Sequence, residues 1–262
     1  MKKELSEKFF WENFYKKRKD VKYFPNPRKC RNHFELDRIF KNFLKPNPSI
    51  KLLELGAGGS IWLPYFAKTF GFNVYGIDYS AKGCDMAKRN LDLARVKGTI
   101  ICKDFFQLDK DWNEYFDIIV SFGVIEHFED PLEILNLIKR LLNKKGLIIT
   151  VVPNTAGLIM KIQKLIDEQV YRIHKIFNLD QLSDFHKQAG FEVIFQKYLQ
   201  FADLSVLNYQ NVIKGRLFKI VARCITVLNL PILYFQRIFP FFPQSQMFCS
   251  SMIVIAKNIN HI

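Results

Sequence analysis

The sequence predicts an α/β fold built on a doubly wound, mainly parallel sheet. The first observation is a short apolar run at 51–55 that breaks into a glycine-rich turn and continues into an apolar stretch with helical periodicity at 61–70. The second observation is that this alternation of strand and helix repeats as far as residue 198. Repeated βα units place a parallel sheet between two layers of helices, with a ligand at the carboxyl ends of the strands.

Apolar runs and turn residues predict the individual elements. Asp130 is expected to cap a helix that starts at Pro131 and is closed by residues 144–146, and a later helix is capped by Asn178 and Gln181 and ended by Gly190. Two earlier helices are predicted at 61–70 and 81–93. Strands are predicted at 51–55, 73–77, 99–102, 116–122, 146–152, 192–198 and 252–256.

Composition divides the chain into four parts. Residues 1–45 are basic and aromatic, and we predict a helix there whose aromatic side either packs on the domain or forms a lid over the ligand. Residues 46–199 form the α/β core, residues 200–246 form a basic, aromatic helical insertion, and residues 247–262 return to the core as its last strand.

Length and composition limit the class of protein. The 262 residues, 49% of them hydrophobic, are ample for one large globular domain. The five cysteines form no C-x-x-C pair, which predicts a reducing compartment. The charged N-terminus lacks the apolar stretch of a secretory signal, so we expect a cytoplasmic protein. A net charge of +14 favours phosphate, nucleic acid, anionic lipid or an anionic substrate as partner, although it also suits mere solubility.

The glycine turn, Gly56-Ala57-Gly58-Gly59-Ser60, narrows the ligand. A dinucleotide fingerprint needs a small residue at its third site, where this chain has the bulky Ile61. The stretch instead resembles E/D-x-G-x-G-x-G, the first motif of class I S-adenosylmethionine-dependent methyltransferases. Glu54, Gly56 and Gly58 match this motif, and Ser60 replaces its last glycine.

A second motif follows the predicted fourth strand. The stretch from Ser121 to Pro131, SFGVIEHFEDP, resembles the D-x-V…-x-x-E-H-x-x-D-P motif of the small-molecule branch, which includes the ubiquinone-pathway O-methyltransferases. The resemblance covers roughly residues 9–198 and resumes at the last strand. It implies a Rossmann-like sheet of seven strands with an antiparallel last strand, and S-adenosylmethionine as cofactor.

Candidate cofactor-binding residues follow the strand ends. Asp78 ends the second strand about twenty residues after the turn, where a carboxylate can accept two ribose hydroxyls. Beside it, Tyr79 could cover the adenine. The resemblance places Asp104 at the adenine amino group. The other candidates are Phe105 at the adenine, Ser121 and Phe122 at the sulfonium, and Glu54, Gly56, Ala57 and Gly58 at the methionine portion. Structural alternatives are that Glu54 orients the glycine loop, Asp104 caps a turn and Phe105 belongs to the core.

An oxygen acceptor must lose a proton, and a nearby histidine could take it. His127 is the first candidate and His174 the second, although His127 could instead brace its loop. The methyl group of S-adenosylmethionine is already activated, and we see no metal-ligand pattern in the sequence. We therefore predict metal-independent transfer.

The insertion suggests a surface role. No acidic residue follows Asp203, apolar residues from Ile213 to Leu228 recur at helical spacing, and basic residues share another face. Two short aromatic stretches interrupted by prolines, 230–235 and 239–243, come next. The segment could lie on an anionic membrane surface, form an apolar substrate lid, or only pack on the core.

We therefore predict methyl transfer to a small or lipid-linked, anionic acceptor, with oxygen as the acceptor atom. The protein is expected in the cytoplasm, with peripheral attachment to the inner face of a membrane as an alternative. Nucleic acid is a secondary partner, because no Asn-Pro-Pro-Tyr-type motif follows the fourth strand. Two rival hypotheses are an RNA methyltransferase and a membrane-associated, non-catalytic scaffold with this fold.

Overall fold

The computed structural model describes residues 4–6, 8–17, 23–201, 203–208, 215–238 and 244–259. Its helices are α1 (Lys8–Lys17), α2 (Arg31–Phe43), α3 (Trp62–Phe70), α4 (Ala81–Ala94), α5 (Pro131–Leu141), α6 (Leu158–Ile166), α7 (Glu168–Arg172), α8 (Leu179–Gln188) and α9 (Gly215–Ile238). Its strands are β1 (Lys51–Leu55), β2 (Asn73–Asp78), β3 (Thr99–Cys102), β4 (Phe116–Phe122), β5 (Leu142–Pro153), β6 (Phe191–Phe201) and β7 (Cys249–Asn258).

The strands form one seven-stranded sheet in the order β3-β2-β1-β4-β5-β7-β6. Strands β1 to β5 are parallel, and β7 pairs antiparallel with both β5 and β6. The predicted fold class and the antiparallel last strand are therefore confirmed. The strand order reverses between β1 and β4, and a crevice is expected at the carboxyl ends of these two strands.

Side chains of alternating strand residues build a core on each face of the sheet. Leu53 and Leu55 of β1 belong to one buried cluster, which also includes the apolar sides of α5 and α8. Leu52, the neighbour of Leu53, belongs to the second cluster, which includes α2 and α3. A period of two along a strand produces this division, and burial on both faces explains why β1 and β4 are almost continuously apolar.

One predicted boundary was wrong. Residues 144–146 do not close α5, because the helix ends at Leu141 and β5 begins at Leu142. Leu142 pairs directly with Phe116 of β4, and the register then shifts before Leu147 pairs with Ile118. The chain makes a turn within the strand, where Lys145 adopts a left-handed backbone with φ of 66°. The pairing of Leu142 with Phe116 therefore ends the helix earlier than its basic residues suggested.

The insertion contains a long helix, α9. Pro231 lies inside it and does not break it, contrary to the sequence expectation. Proline frees the carbonyl four residues earlier, at Val227. Because Val227 and Pro231 are both exposed, water can satisfy this carbonyl. Residues 209–214 and 239–243, and the side chains of Arg216, Lys219 and Arg237, lie outside the described residues. None of the described helices combines the length and hydropathy needed to span a membrane.

Candidate active site

The glycine turn lies at the carboxyl end of β1, beside the reversal of strand order. Gly56 and Gly59 have positive φ angles of 69° and 62°, which glycine adopts without a steric penalty. Gly58 is needed for space: a Cβ there would lie 2.2 Å from Tyr15 Oη and 2.7 Å from Asp78 Oδ2. The turn therefore permits a closer approach to its backbone than any other residue type would allow.

Asp78, the last residue of β2, is bonded to the turn. Its Oδ2 accepts a hydrogen bond from the Gly58 amide at 2.8 Å, and its Oδ1 accepts one from the Ser80 amide at 2.7 Å. The side chain is 8% exposed and lines the cavity at the turn. These two bonds hold the carboxylate at the cavity, where a ligand's hydroxyl groups could donate to it.

Glu54 holds the other end of the turn. Its Oε2 accepts a hydrogen bond from Ser60 Oγ at 2.6 Å, and the same Oγ accepts bonds from the amides of Trp62 and Leu63 at the start of α3. Burial raises the pKa of Glu54 to about 8, although the Ser60 bond opposes the shift. These contacts match the alternative in which Glu54 orients the loop. Glu54 also lines the cavity, so both of its predicted roles remain compatible with its position.

We call the space at this turn the glycine-loop cavity, with a volume of about 420 Å³. Four of its lining residues precede the α/β core: Glu4, which accepts a 2.9 Å hydrogen bond from Tyr79 Oη, and Trp11, Phe14 and Tyr15 of α1. No pattern in the sequence pointed to Glu4, whereas the other three belong to the predicted aromatic helix. The candidate residues that line this cavity are Glu54, Gly56, Gly58, Asp78, Tyr79, Phe105, Phe122, His127 and His174.

The three other candidates lie just outside the lining. Ala57 is buried, and its amide donates to the Ile77 carbonyl at 3.0 Å. Ser121 is buried, and its Oγ has no hydrogen-bond partner among the described residues. Asp104 lines an adjoining cavity with Tyr79 and Phe105, and its Oδ1 accepts from the Phe106 amide at 2.9 Å. Asp104 therefore caps the turn, as the structural alternative predicted. Its role at an adenine stays a prediction.

A second cavity of about 340 Å³, which we call the apolar cavity, lies beside the first. It is bordered by α1, the end of β5, α6 and the segment after β6, and no lysine or arginine lines it among the described residues. Sequence reasoning missed its polar lining residues, because they come from distant segments with no shared motif. These residues are Asn32, Asn154, Gln163, Asn208, Ser250 and Ser251.

The two cavities share a wall of aromatic and imidazole side chains. The wall joins α1, the start of α3, the ends of β4 and β5, and the segments that follow β4 and α7, so a ligand in one cavity would lie against a ligand in the other. Its residues are Trp11, Phe14, Trp62, Phe122, Gly123, His127, Pro153 and His174.

His127 is the polar centre of this wall. Its Nδ1 lies 2.8 Å from the Ile173 carbonyl, which assigns the proton to Nδ1 and leaves the Nε2 lone pair free to accept one. Burial, together with the neighbouring His174, lowers the pKa of His127 to about 3, although the bond to Ile173 opposes the shift. The imidazole is therefore neutral at physiological pH.

Glu126 lies next to His127, with Oε1 at 4.0 Å from Nε2. Both Glu126 oxygens are buried without a hydrogen-bond partner among the described residues, and burial raises its pKa to about 8. Glu126, His127 and His174 form a group whose ligand atoms lie within 4.8 Å of one another and could hold a metal ion. Only the structure revealed this group, because His174 lies far from the other two in sequence. Metal-independent transfer stays a prediction.

The turn fits the cofactor that the sequence resemblance implies. The backbone at Gly58 carries no side chain, and the buried carboxylate of Asp78 lies at the end of the next strand. This is where a parallel α/β sheet receives the ribose of a nucleoside. Asp78 would hold the ribose, and Gly56, Gly58 and Glu54 would face the methionine portion.

Comparisons with known proteins agree with this geometry. The profile of a family described as "Methyltransferase domain" matches residues 28–196, more than half of the chain. A ubiquinone biosynthesis O-methyltransferase of Dinoroseobacter shibae is 26% identical over 184 residues, which cover 63% of this chain and 70% of that protein. The protein of the same name from Actinobacillus pleuropneumoniae is 34% identical over 103 residues, 37% of this chain and 43% of that protein. The chain thus matches less than half of this second relative.

Solved structures share the fold at lower identity. A SAM-dependent methyltransferase from Archaeoglobus fulgidus superposes with a TM-score of 0.56 at 17% identity, covering 96% of this chain and 100% of that one. Phosphoethanolamine N-methyltransferase 2 of Haemonchus contortus, solved with S-adenosyl-L-methionine, gives a TM-score of 0.58 at 17% identity, covering 87% and 53%. The chain therefore belongs to the methyltransferase domain family and is a methyltransferase with S-adenosylmethionine as its cofactor.

Proposed function

We propose that the protein methylates a hydroxyl oxygen on a small acceptor with a largely apolar body, including an acceptor attached to a lipid chain. The observation that carries this proposal is the shared wall between the two cavities. The glycine-loop cavity has the polar groups that a nucleoside cofactor needs, and the apolar cavity beside it has aromatic, aliphatic and neutral polar groups. The predicted negative charge of the acceptor has no support from the described lining, which contains no lysine or arginine.

S-adenosylmethionine supplies a methyl group on a sulfonium, ready for in-line displacement, so positioning contributes most of the catalysis. Trp11 and Phe14 of α1, together with Phe122, would exclude water from the junction of the cavities and orient the acceptor. This assigns to α1 the lid role that the sequence suggested.

His127 would receive the acceptor's proton. As the acceptor oxygen gains the methyl group, its O–H bond breaks and the proton moves to Nε2, while Nδ1 stays bonded to Ile173. The low pKa of His127 makes it a weak base on its own. A carboxylate at Glu126 would favour the imidazolium, so a small shift in the Glu126 pKa would strengthen the base. His174, whose pKa is lowered by burial, remains the second candidate.

An acceptor screen tests the proposal. Formation of S-adenosylhomocysteine would be followed with apolar phenols and catechols, with matched anilines, with aromatic carboxylates and with RNA. We expect the hydroxyl compounds to be methylated fastest. Faster turnover of anilines would contradict oxygen as the acceptor atom, and faster turnover of carboxylates would restore the predicted anionic acceptor. Salt-sensitive methylation of RNA would favour the rival nucleic-acid hypothesis.

His127→Gln tests the role of the base. We expect kcat to fall by about 100- to 1,000-fold because a general base typically contributes a factor of that order. The activity should recover in part as pH rises toward the acceptor's own pKa, since an ionised hydroxyl needs no base. An unchanged kcat, or an equal loss at every pH, would show that His127 only braces its loop.

A further inference from the structure

Helix α9 presents an apolar face that the core of the protein does not cover. Side chains on one side of it are half-buried, whereas Leu228 on the other side is 63% exposed and Tyr234 is 67% exposed. At 3.6 residues per turn the exposed side forms an arc of about 120°, along a helix about 36 Å long. Its described members are Leu217, Ile220, Cys224, Val227, Leu228, Pro231, Tyr234, Phe235 and Ile238.

None of the described side chains of this arc is charged, and Arg223, which is also exposed, lies at its edge. The sequence of α9 has four basic residues and no acidic one, and no acidic residue follows Asp203 anywhere in the chain. An apolar stripe bordered by positive charge is the pattern of a helix that lies in the interface of an anionic bilayer. A second copy of this chain would bring positive charge against positive charge.

The inner side of α9 is fixed next to the apolar cavity. Asn229 donates through Nδ2 to Asp203 Oδ1 at 2.9 Å and accepts at Oδ1 from the buried Arg31 at 3.3 Å. Arg31 also donates to the Phe201 carbonyl at 2.7 Å, so these bonds tie the helix to the end of β6. These bonds anchor the inner side of α9 to the core.

The segment that follows β6 connects α9 to the cavity wall. Helix α9 contacts the short 3₁₀ turn Leu204–Val206, and Val206 both lines the apolar cavity and is 41% exposed. Asn208, another lining residue, exchanges two hydrogen bonds with Gln163 of α6, at 2.7 and 3.0 Å. The segment that lines the rim of the apolar cavity therefore also contacts α9.

We infer that the apolar face of α9 docks the protein onto an anionic lipid bilayer, next to the rim of the apolar cavity. Leu228 and Phe235 enter the interface, and basic residues of the helix attract the anionic headgroups. Docking by itself does not depend on the proposed methyl transfer. If the acceptor is lipid-linked, as that proposal includes, docking shortens its path into the cavity.

Vesicle flotation tests the inference. The protein would be mixed with vesicles of phosphatidylcholine alone or with about 30% phosphatidylglycerol, at low and high salt. We expect flotation with the anionic vesicles, and a loss of at least about tenfold with neutral vesicles or high salt, because both remove the electrostatic attraction. Failure of the folded wild-type protein to float would overturn the inference.

A double variant, Leu228→Glu with Phe235→Glu, places charges on the face. We expect at least about a tenfold loss of flotation, with an unchanged melting temperature, because both side chains are exposed. Leu93→Glu, an exposed leucine on α4, is the matched control and should float like the wild type. Equal flotation of the double variant would overturn the inference. So would a wild-type dimer, measured by light scattering without lipid, that the double variant abolishes.

A measurement of cofactor affinity distinguishes a failure of the docking inference from a failure of the proposed function. Calorimetry should give the same affinity for S-adenosylmethionine in the wild type, the double variant and Leu93→Glu. Flotation without methylation of any hydroxyl acceptor would support docking and contradict the proposed function. Methylation of a water-soluble hydroxyl acceptor without flotation would support the proposed function and contradict docking.

Discussion

Two regions of this methyltransferase, the glycine turn and the wall that the two cavities share, differ in how their polar groups are held. In the glycine-loop cavity both oxygens of Asp78 accept backbone amides from nearby turns. Glu126, which lines the same cavity beside the shared wall, has two oxygens without a hydrogen-bond partner among the described residues, and burial raises its pKa. The turn is thus prepared for a polar ligand of fixed shape. At the wall, by contrast, the two imidazoles are held only through Nδ1, by the carbonyls of Ile173 and Val170, and the carboxyl beside them is held by no described partner.

The largest expected effect is at Asp78. Asp78→Ala should weaken S-adenosylmethionine binding by about 100-fold or more, because it removes the ribose acceptor and leaves the Gly58 amide without its partner. Asp104→Ala should cost about tenfold, since Asp104 lines only the adjoining cavity. Calorimetry measures both, with the exposed Asp85→Ala as control. Equal losses in Asp78→Ala and Asp104→Ala would show that the glycine-loop cavity and the adjoining cavity lined by Asp104 contribute equally to cofactor binding.

Gly58→Ala tests whether close approach at the turn matters. The new Cβ would collide with Tyr15 and Asp78, so we expect binding of S-adenosylmethionine to weaken by about 10- to 100-fold. Gly71→Ala is the control: Gly71 also has a positive φ, 73°, but no atom lies within 4 Å of its Cβ position. That variant should lose about 1 kcal/mol of stability and keep its affinity. Wild-type affinity in Gly58→Ala would show that the turn is only structural.

Met160→Trp probes the apolar cavity alone. Filling the space beside Met160 should raise the acceptor's KM by about tenfold, through overpacking of its site, and leave S-adenosylmethionine affinity unchanged. Leu165→Trp, on the same helix but 87% exposed, is the matched control for kinetics. An equal loss of cofactor affinity in Met160→Trp would mean that the two cavities act as one site.

The smallest expected effect is the pH dependence contributed by Glu126. Its pKa is about 8 in the folded protein and near 4.5 when unfolded, so the unfolded chain loses this proton first as pH rises. Stability from the protonated carboxyl is therefore present at low pH and is lost between about pH 4.5 and about pH 8. Glu126→Gln cannot titrate, so its unfolding free energy should fall less over this range, by at least about 1 kcal/mol.

Denaturant titrations at about pH 5 and about pH 8 measure this difference. Glu54, whose pKa is also raised to about 8, titrates in both proteins and so does not affect the comparison. An identical pH slope in wild type and Glu126→Gln would show that Glu126 is ionised in the folded protein. The wild-type protein, assayed with and without a chelator, tests the predicted metal independence: its activity should survive chelation.

The cofactor side could be predicted from sequence because its residues are local. Glu54, Gly56 and Gly58 follow one strand directly, and Asp78 ends the next, so strand and turn periodicity alone places them at one edge of the sheet. Tyr79 and Phe105 could be placed at the cavity for the same reason. The sequence could not predict that the side chains of Ala57 and Ser121 lie outside the lining, because a turn's backbone angles and the twist of a strand decide which side faces the cavity.

Strand order, the length of β5 and the composition of the apolar cavity needed the tertiary structure. Asn32, Gln163, Asn208 and Ser250 come from four segments far apart in the chain, and no local pattern relates them. The meeting of Glu126 and His127 with His174 has the same origin.

By itself, the sequence determined the fold class, the family and the position of the cofactor turn, because each depends on periodicity or on spacing within a few tens of residues. The tertiary structure alone decided what lies opposite that turn and which face of α9 stays uncovered. Burial and long-range packing set both, and the free energy of a buried contact depends on neighbours that sequence distance does not reveal.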